Sequence, residues 1–391
     1  MRRWVILGIA VAAQAAVSSL VYGLPFLLPN LRAELDLSLT AAGTLVSAPV
    51  LGILAALIAW GAAADKFGER VVMAIGMAGT GVAAVAAALV PGIVGLSVFL
   101  VLGGLFAASI SAASGRAVLG WFAASERGLA MGIRQTCTPL GVGFAALVLP
   151  PAAEAWGYQP ALLIPGVLCL VIAVVVAIGL IDPPRAPAKN VEETRSPYRT
   201  PRLWRVHIAS ALLVGPQFTA SAFALTYLVS EQGWSPVTAG AVVAVVQLVG
   251  AAGRIGAGIW SDRVGSRMRP MRIIAVGAVA AMLAWALGDV TWSGLAVVGL
   301  FAVMVISVTD NGLAFTATAE LAGPFWAGRA LGVQNTGQNV MALAAAPAFA
   351  ALVTAVDWPW ALAIGALLPL VACLVTPVHG EPTHQRRVST R

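Results

Sequence analysis

The chain has 391 residues, of which 60% are apolar and only 10% charged. Soluble domains run nearer 45–50% apolar and about 25% charged. With a mean hydropathy of +0.91 there is too little polar surface for a water-soluble particle of this size. Lipid must solvate most of it. The net charge of +7 would suggest nucleic acid in a soluble protein, but here the basic residues lie in loops between apolar runs.

A bilayer core needs about 20 apolar residues per helix. Apolar runs of that length fall at 4–28, 40–60, 71–90, 93–115, 129–150, 160–181, 206–230, 237–258, 271–289, 293–318, 329–354 and 359–377. They predict an all-α membrane protein of twelve spans. Ala13-Gln14-Ala15 resembles a signal-peptidase site, yet the first run continues to Leu28 and reads as a span rather than a cleaved leader. No β-strand alternation is visible, which argues against a barrel. A proline-rich polar stretch at 182–205 separates residues 1–181 from 206–378, six spans each, and reads as a flexible cytoplasmic linker. Residues 379–391 read as a cytoplasmic tail.

Loop charge orients the spans. With the N-terminus cytoplasmic, 20 of the 23 Lys and Arg fall on the cytoplasmic side, among them Arg2, Arg3, Lys66, Arg70, Arg116, Arg127, Arg185, Lys189, Arg263, Arg267, Arg329, Arg386, Arg387 and Arg391. Arg32 alone falls opposite, and Arg134 and Arg254 lie inside spans. Both termini are therefore expected in the cytoplasm of a multi-pass plasma-membrane protein. Cys137, Cys169 and Cys373 lie in apolar runs without metal-ligand spacing, and His207, His379 and His384 are scattered. No phosphate-binding loop of the G-x-x-x-x-G-K-[ST] type occurs. Neither a cofactor, a metal nor catalytic residues are expected.

The two halves repeat. Gly61, Asp65, Lys66, Gly68 and Arg70 follow span 2, and Gly258, Asp262, Arg263, Gly265 and Arg267 follow span 8. Both sets fit G-x-x-x-D-[KR]-x-G-x-R, 197 residues apart. Gly132-Ile133-Arg134-Gln135-Thr136 and Gly332-Val333-Gln334-Asn335-Thr336 form a second pair, offset by 200. Two matches at nearly one offset indicate internal duplication, and duplicated six-helix halves are how many secondary transporters build a midplane site. On these residues the chain resembles the major facilitator superfamily over nearly its whole length. The resemblance implies two pseudo-symmetric six-helix bundles. It also implies that spans 1, 4, 7 and 10 line a cavity flanked by 2, 5, 8 and 11. Asp65 and Asp262 would face the N-termini of spans 11 and 5, a favourable macrodipole contact. The ten loop residues would form a conformational latch; alternatively they only fix topology.

Ionisable groups at bilayer depth cost at least about 2.5–3.5 kcal/mol on insertion scales and are functional candidates. Three lie well inside spans: Arg134, Arg254 and Asp310; Glu320 falls at a helix end. Arg254 lies eight residues before Asp262, ~12 Å deeper in the membrane. Its place resembles the substrate arginine of oxalate:formate antiporters and monocarboxylate transporters, with cyanate/nitrate porters a related comparison. A guanidinium stays charged and grips planar anions bidentately. Arg134 would approach the same cavity, with Gln135 beside it. Pairing of either arginine with Asp310, or snorkelling, is the competing reading. Asp310 is the candidate proton-coupling residue or, alternatively, a structural partner for the arginines. Gln14 and Tyr22 in span 1, Gln217 in span 7, Gln247 in span 8, and Gln334, Asn335, Gln338 and Asn339 in span 11 make polar stripes. They would line the cavity or hydrogen-bond across helices. Thr138-Pro139-Leu140-Gly141 only partly resembles the proline–glycine motif of drug:proton antiporters.

Together these features point to a monomeric secondary transporter. It would move a small organic or inorganic anion by alternating access, with protons as the candidate coupling ion. The rival is a proton-driven exporter of drugs or lipophilic metabolites.

Overall fold

The computed structural model describes residues 2–184 and 195–378, and its regular structure is helical throughout. The linker cations Arg185 and Lys189 and the tail cations Arg386, Arg387 and Arg391 lie outside the described residues.

The helices are α1 (Arg2–Val21), α2 (Leu28–Leu35), α3 (Leu39–Phe67), α4 (Glu69–Leu89), α5 (Ile93–Leu119), α6 (Arg127–Arg134), α7 (Cys137–Trp156) and α8 (Tyr158–Gly179). After the linker come α9 (Pro201–Ser230), α10 (Pro236–Val264), α11 (Met268–Thr291), α12 (Ser293–Ile306), α13 (Asn311–Ala322), α14 (Ala327–Gly365) and α15 (Leu367–Val375). Eleven stretches among the described residues are long and apolar enough to span a bilayer, and the last runs from Ala327 to Val375. That stretch turns at Asp357, whose φ of 63° and ψ of 170° break the helix, so it holds two spans and the total is twelve.

Local chemistry sets the boundaries. Ser38 caps α3 by accepting from the Ala41 N–H, and Ser235 caps α10 by accepting from the Thr238 N–H. Pro201 opens α9 five residues before the expected 206, as a proline at N1 favours. Gly68 (φ 95°) and Gly265 (φ 66°) end α3 and α10 in a backbone region open to glycine, which accounts for the second glycine of the repeated loop. In the polar connector, the Tyr198 hydroxyl lies 3.1 Å from His207 Nε2, and burial pushes its pKa up to about 12.

Packing divides the chain into two compact units. The first comprises Met1–Trp121, Thr136–Arg195 and Ala322–Thr336. The second comprises Phe122–Gln135, Ser196–Leu321 and Gly337–Arg391. Each unit thus contains one short segment from the opposite sequence half. The core of the first is built on Ile6, Val17, Leu57, Met73, Met77, Leu96 and Leu100. In the second, Trp285 packs edge-on to Tyr227 with ring centroids 5.1 Å apart, and the Tyr227 hydroxyl donates to Asp289 at 2.5 Å. Val82, Leu89, Val94, Leu147, Ile178 and Leu248 are instead exposed, as side chains solvated by lipid are.

Close helix approach depends on missing side chains. A Cβ on Gly299 of α12 would lie 2.3 Å from the Trp285 backbone nitrogen of α11, whereas Gly240 of α10 has nothing within 4 Å. Gly299→Ala is expected to destabilise the protein by about 1–3 kcal/mol, read as a lower melting temperature in detergent. Gly240→Ala should leave it unchanged or raise it.

Candidate substrate site and signature loops

The repeated loops place their aspartates at helix N-termini, one in each unit. In the first, the Asp65 carboxylate accepts from the backbone N–H groups of Gly328 (2.8 Å) and Arg329 (3.0 Å) in the first turn of α14. In the second, Asp262 accepts from Gly128 (2.9 Å) and Leu129 (2.8 Å) in the first turn of α6. These donors have no acceptor within their own helix, and the positive end of the macrodipole favours an anion there. Glycines let the backbones meet. A Cβ on Gly61 would lie 2.4 Å from the Gly328 carbonyl oxygen, and one on Gly258 would lie 2.1 Å from that of Gly128.

An arginine completes each arrangement, by different routes. Arg116, at the end of α5, pairs with Asp65 at 2.6 Å and with the fully buried Glu69. Arg267, from the loop itself, pairs with Asp262 at 2.5 Å and with Glu320, and donates to the Ala124 carbonyl at 2.7 Å. Arg127 also reaches Glu320, at 3.4 Å. Cation and acid have therefore exchanged places between the helix end and the loop.

The second unit also holds a polar cluster at membrane depth. α6 ends at Arg134 and α7 begins at Cys137, so the helical hydrogen bonding of span 5 is interrupted at Gln135 and Thr136, which keep right-handed helical dihedrals. Arg254 Nη1 on α10 donates to the Gln135 backbone carbonyl at 2.5 Å, and Arg134 Nη1 donates to Gln135 Oε1 at 2.5 Å. The Arg134 guanidinium also lies 5.7 Å from the centroid of the Phe315 ring. Backbone contact draws the elements together: a Cβ on Gly132 would lie 2.6 Å from the Arg254 carbonyl oxygen.

Span 10 breaks as well, between α12 and α13, and Asp310 sits fully buried at that break. Neither of its carboxylate oxygens accepts a hydrogen bond from another residue among those described. Gly253 packs against Thr309 and thereby sets Arg254 beside this turn. Asn311 follows, donating to Gln217 Oε1 at 3.2 Å and accepting from Gln338 at 3.2 Å; Gln338 also donates to Ser210 at 2.8 Å. Among the described residues the second unit thus holds Arg134, Arg254 and Asp310 together with the neutral amides of Gln135, Gln217, Asn311 and Gln338.

The family profile of the Major Facilitator Superfamily matches residues 7–346. The chain belongs to the major facilitator superfamily. It is 44% identical to an uncharacterized MFS-type transporter of Mycobacterium tuberculosis, over all of this chain and 89% of that one. It is 24% identical to a probable sulfoacetate transporter of Cupriavidus necator, over 87% of this chain and 85% of that one. It is 23% identical to a hexuronate transporter of Bacillus subtilis, over 60% and 59%. Its fold is similar to that of a double-tryptophan XylE mutant, with a TM-score of 0.78, 15% identity, and coverage of 98% of this chain and 97% of that one.

The polar residues singled out in this superfamily member do not all meet. Arg134, Gln135, Arg254, Asp310, Gln217 and Gln338 gather in the second unit, and Gln247 lies half-buried on α10 two turns before Arg254. Gln14, Tyr22 and Asn335 belong to the first unit. There Gln14 hydrogen-bonds the Ser111 hydroxyl at 3.4 Å, and Asn335 donates to the Ser111 carbonyl at 3.2 Å. Tyr22 is half-buried against the first unit's core at the end of α1. Sequence reasoning missed Ser111, Ser210, Phe315 and the role of Glu69. Their partners lie 47 to 224 residues away, beyond the reach of local spacing.

A carboxylate on two helix N–H groups contributes about 0.5–2 kcal/mol. Asp65→Asn should speed amide hydrogen exchange in 327–334, and Asp262→Asn should speed it in 127–134, each leaving the other segment protected.

Proposed function

We propose that the chain is a secondary transporter of a small organic or inorganic anion, working by alternating access. The observation that carries this reading is the gathering of charge at membrane depth: Arg134 and Arg254 converge on Gln135, and Asp310 sits at the turn beside Arg254. Two guanidinium groups in low dielectric repel each other unless an anion lies with them. One bound monoanion would neutralise the cluster. The relatives named for hexuronate and sulfoacetate, both anions, support the same class. Gln217, Gln338 and Asn311 would supply neutral hydrogen bonds that orient the cargo. In the first unit Gln14, Tyr22 and Asn335 would do the same; Gln247 would extend the second set.

Asp310 would couple transport to protons. Its place beside Arg254 would tie its proton occupancy to the presence of cargo there. The two Asp–helix contacts would act as the conformational latch, opening and closing with each cycle. The excess of loop cations favours cytoplasmic termini in the plasma membrane. Nothing in this scheme requires a cofactor or a second copy of the chain.

One observation favours a second reading, export of lipophilic compounds. A cavity of about 350 Å³ opens between α9, α11, α14 and α15, lined by Pro216, Met282, Met341, Phe349 and Leu368, with Thr219 its one hydroxyl. Uptake assays in proteoliposomes separate the two. Arg254→Lys should raise the KM for glucuronate or sulfoacetate at least about tenfold, the loss of a bidentate grip. Asp310→Asn should abolish accumulation driven by a pH gradient while sparing anion counterflow. Transport of neutral lipophiles indifferent to both substitutions would favour export.

A further inference from the structure

The break in span 5 has a cause in the sequence. In a continuous helix the Gln135 carbonyl would accept from the N–H of residue 139, but residue 139 is proline and has none. That carbonyl is therefore without a helical donor at membrane depth, where water does not substitute. It is the same carbonyl that Arg254 Nη1 reaches at 2.5 Å. We propose that Pro139 is a positioning residue for Arg254: by removing one helical donor it creates the acceptor that holds the guanidinium.

The duplication supplies an internal control. At the offset of 200, Pro139 corresponds to Asn339 and Gln135 to Asn335; at 197, Arg254 corresponds to Leu57. The contacts obey these correspondences. A Cβ on Gly132 would meet the backbone of Arg254 and Ile255, and one on Gly332 would meet that of Leu57 and Ile58. The equivalent contact of Gly332 with Leu57 lacks the proline, and it lacks the arginine too. There α14 runs unbroken through Asn335 and Asn339. The two residues occur together at one of the two equivalent helix contacts and are absent together from the other.

A guanidinium has five N–H donors in a rigid fork, and anchoring one of them fixes the direction of the rest. Pro139 thus acts on cargo through the orientation of Arg254; this consequence rests on the anion reading, whereas the hydrogen bond itself does not.

A double-mutant cycle on the full-length protein tests both levels. Arg254→Leu, which copies Leu57, strands the carbonyl and should lower the melting temperature by several degrees. Pro139→Ala restores the N–H and should recover most of that loss in the double variant, while changing little alone. Additive effects, with no recovery, would overturn the proposal. In transport, Pro139→Ala should raise the KM for glucuronate or sulfoacetate about tenfold with little change in kcat. In an Arg254→Lys background it should add much less, and an undiminished effect there would overturn the positioning role. Thermal coupling combined with anion transport indifferent to Arg254→Lys would instead sink the anion reading and leave the clasp standing.

Discussion

Arg134 and Arg254 both end on Gln135, one on its side-chain amide and one on its backbone carbonyl. Neither acceptor carries a formal charge. Hydrogen bonds to neutral dipoles lower the cost of holding a guanidinium away from water, but they do not cancel its field. Asp310 supplies a negative charge beside Arg254, in a turn where no other described residue donates a hydrogen bond to its carboxylate. Everything proposed about cargo and coupling starts from that gathering of charged groups.

The scaffold that brings these groups together is a duplicated one. In each half an aspartate sits on the first turn of a partner helix, and glycines bring the two backbones into contact. That shared frame fixes where residue 254 and residue 57 lie against their partner helices. The halves then diverge in what they place there, arginine in one and leucine in the other. The ion pairs around the aspartates diverge too, since Arg116 comes from a helix end and Arg267 from the loop.

The twelve spans were legible because hydrocarbon thickness imposes a length on every apolar run. The repeat was legible because its glycines and aspartates are needed at fixed spacing. The breaks were not read. Span 5 reads as continuous because Leu129, Ala130, Met131 and Ile133 lead into residue 135 and an apolar run resumes at Leu140, and the effect of Pro139 appears four residues upstream of the proline itself. The turn at 307–310 has no proline or glycine to mark it. Polar stripes showed which residues avoid lipid but not which of them meet. Asn335 and Gln338 sit three residues apart on one helix, yet they pack in different units, one with Ser111 and the other with Ser210.

Calorimetry on the purified protein tests the central claim most directly. Glucuronate and sulfoacetate would be titrated against glucose, a neutral compound of similar size and hydrogen-bonding capacity. The account predicts saturable binding of at least one anion and none of the sugar. Binding of glucose with equal affinity, or of neither anion while a neutral solute binds, would contradict it.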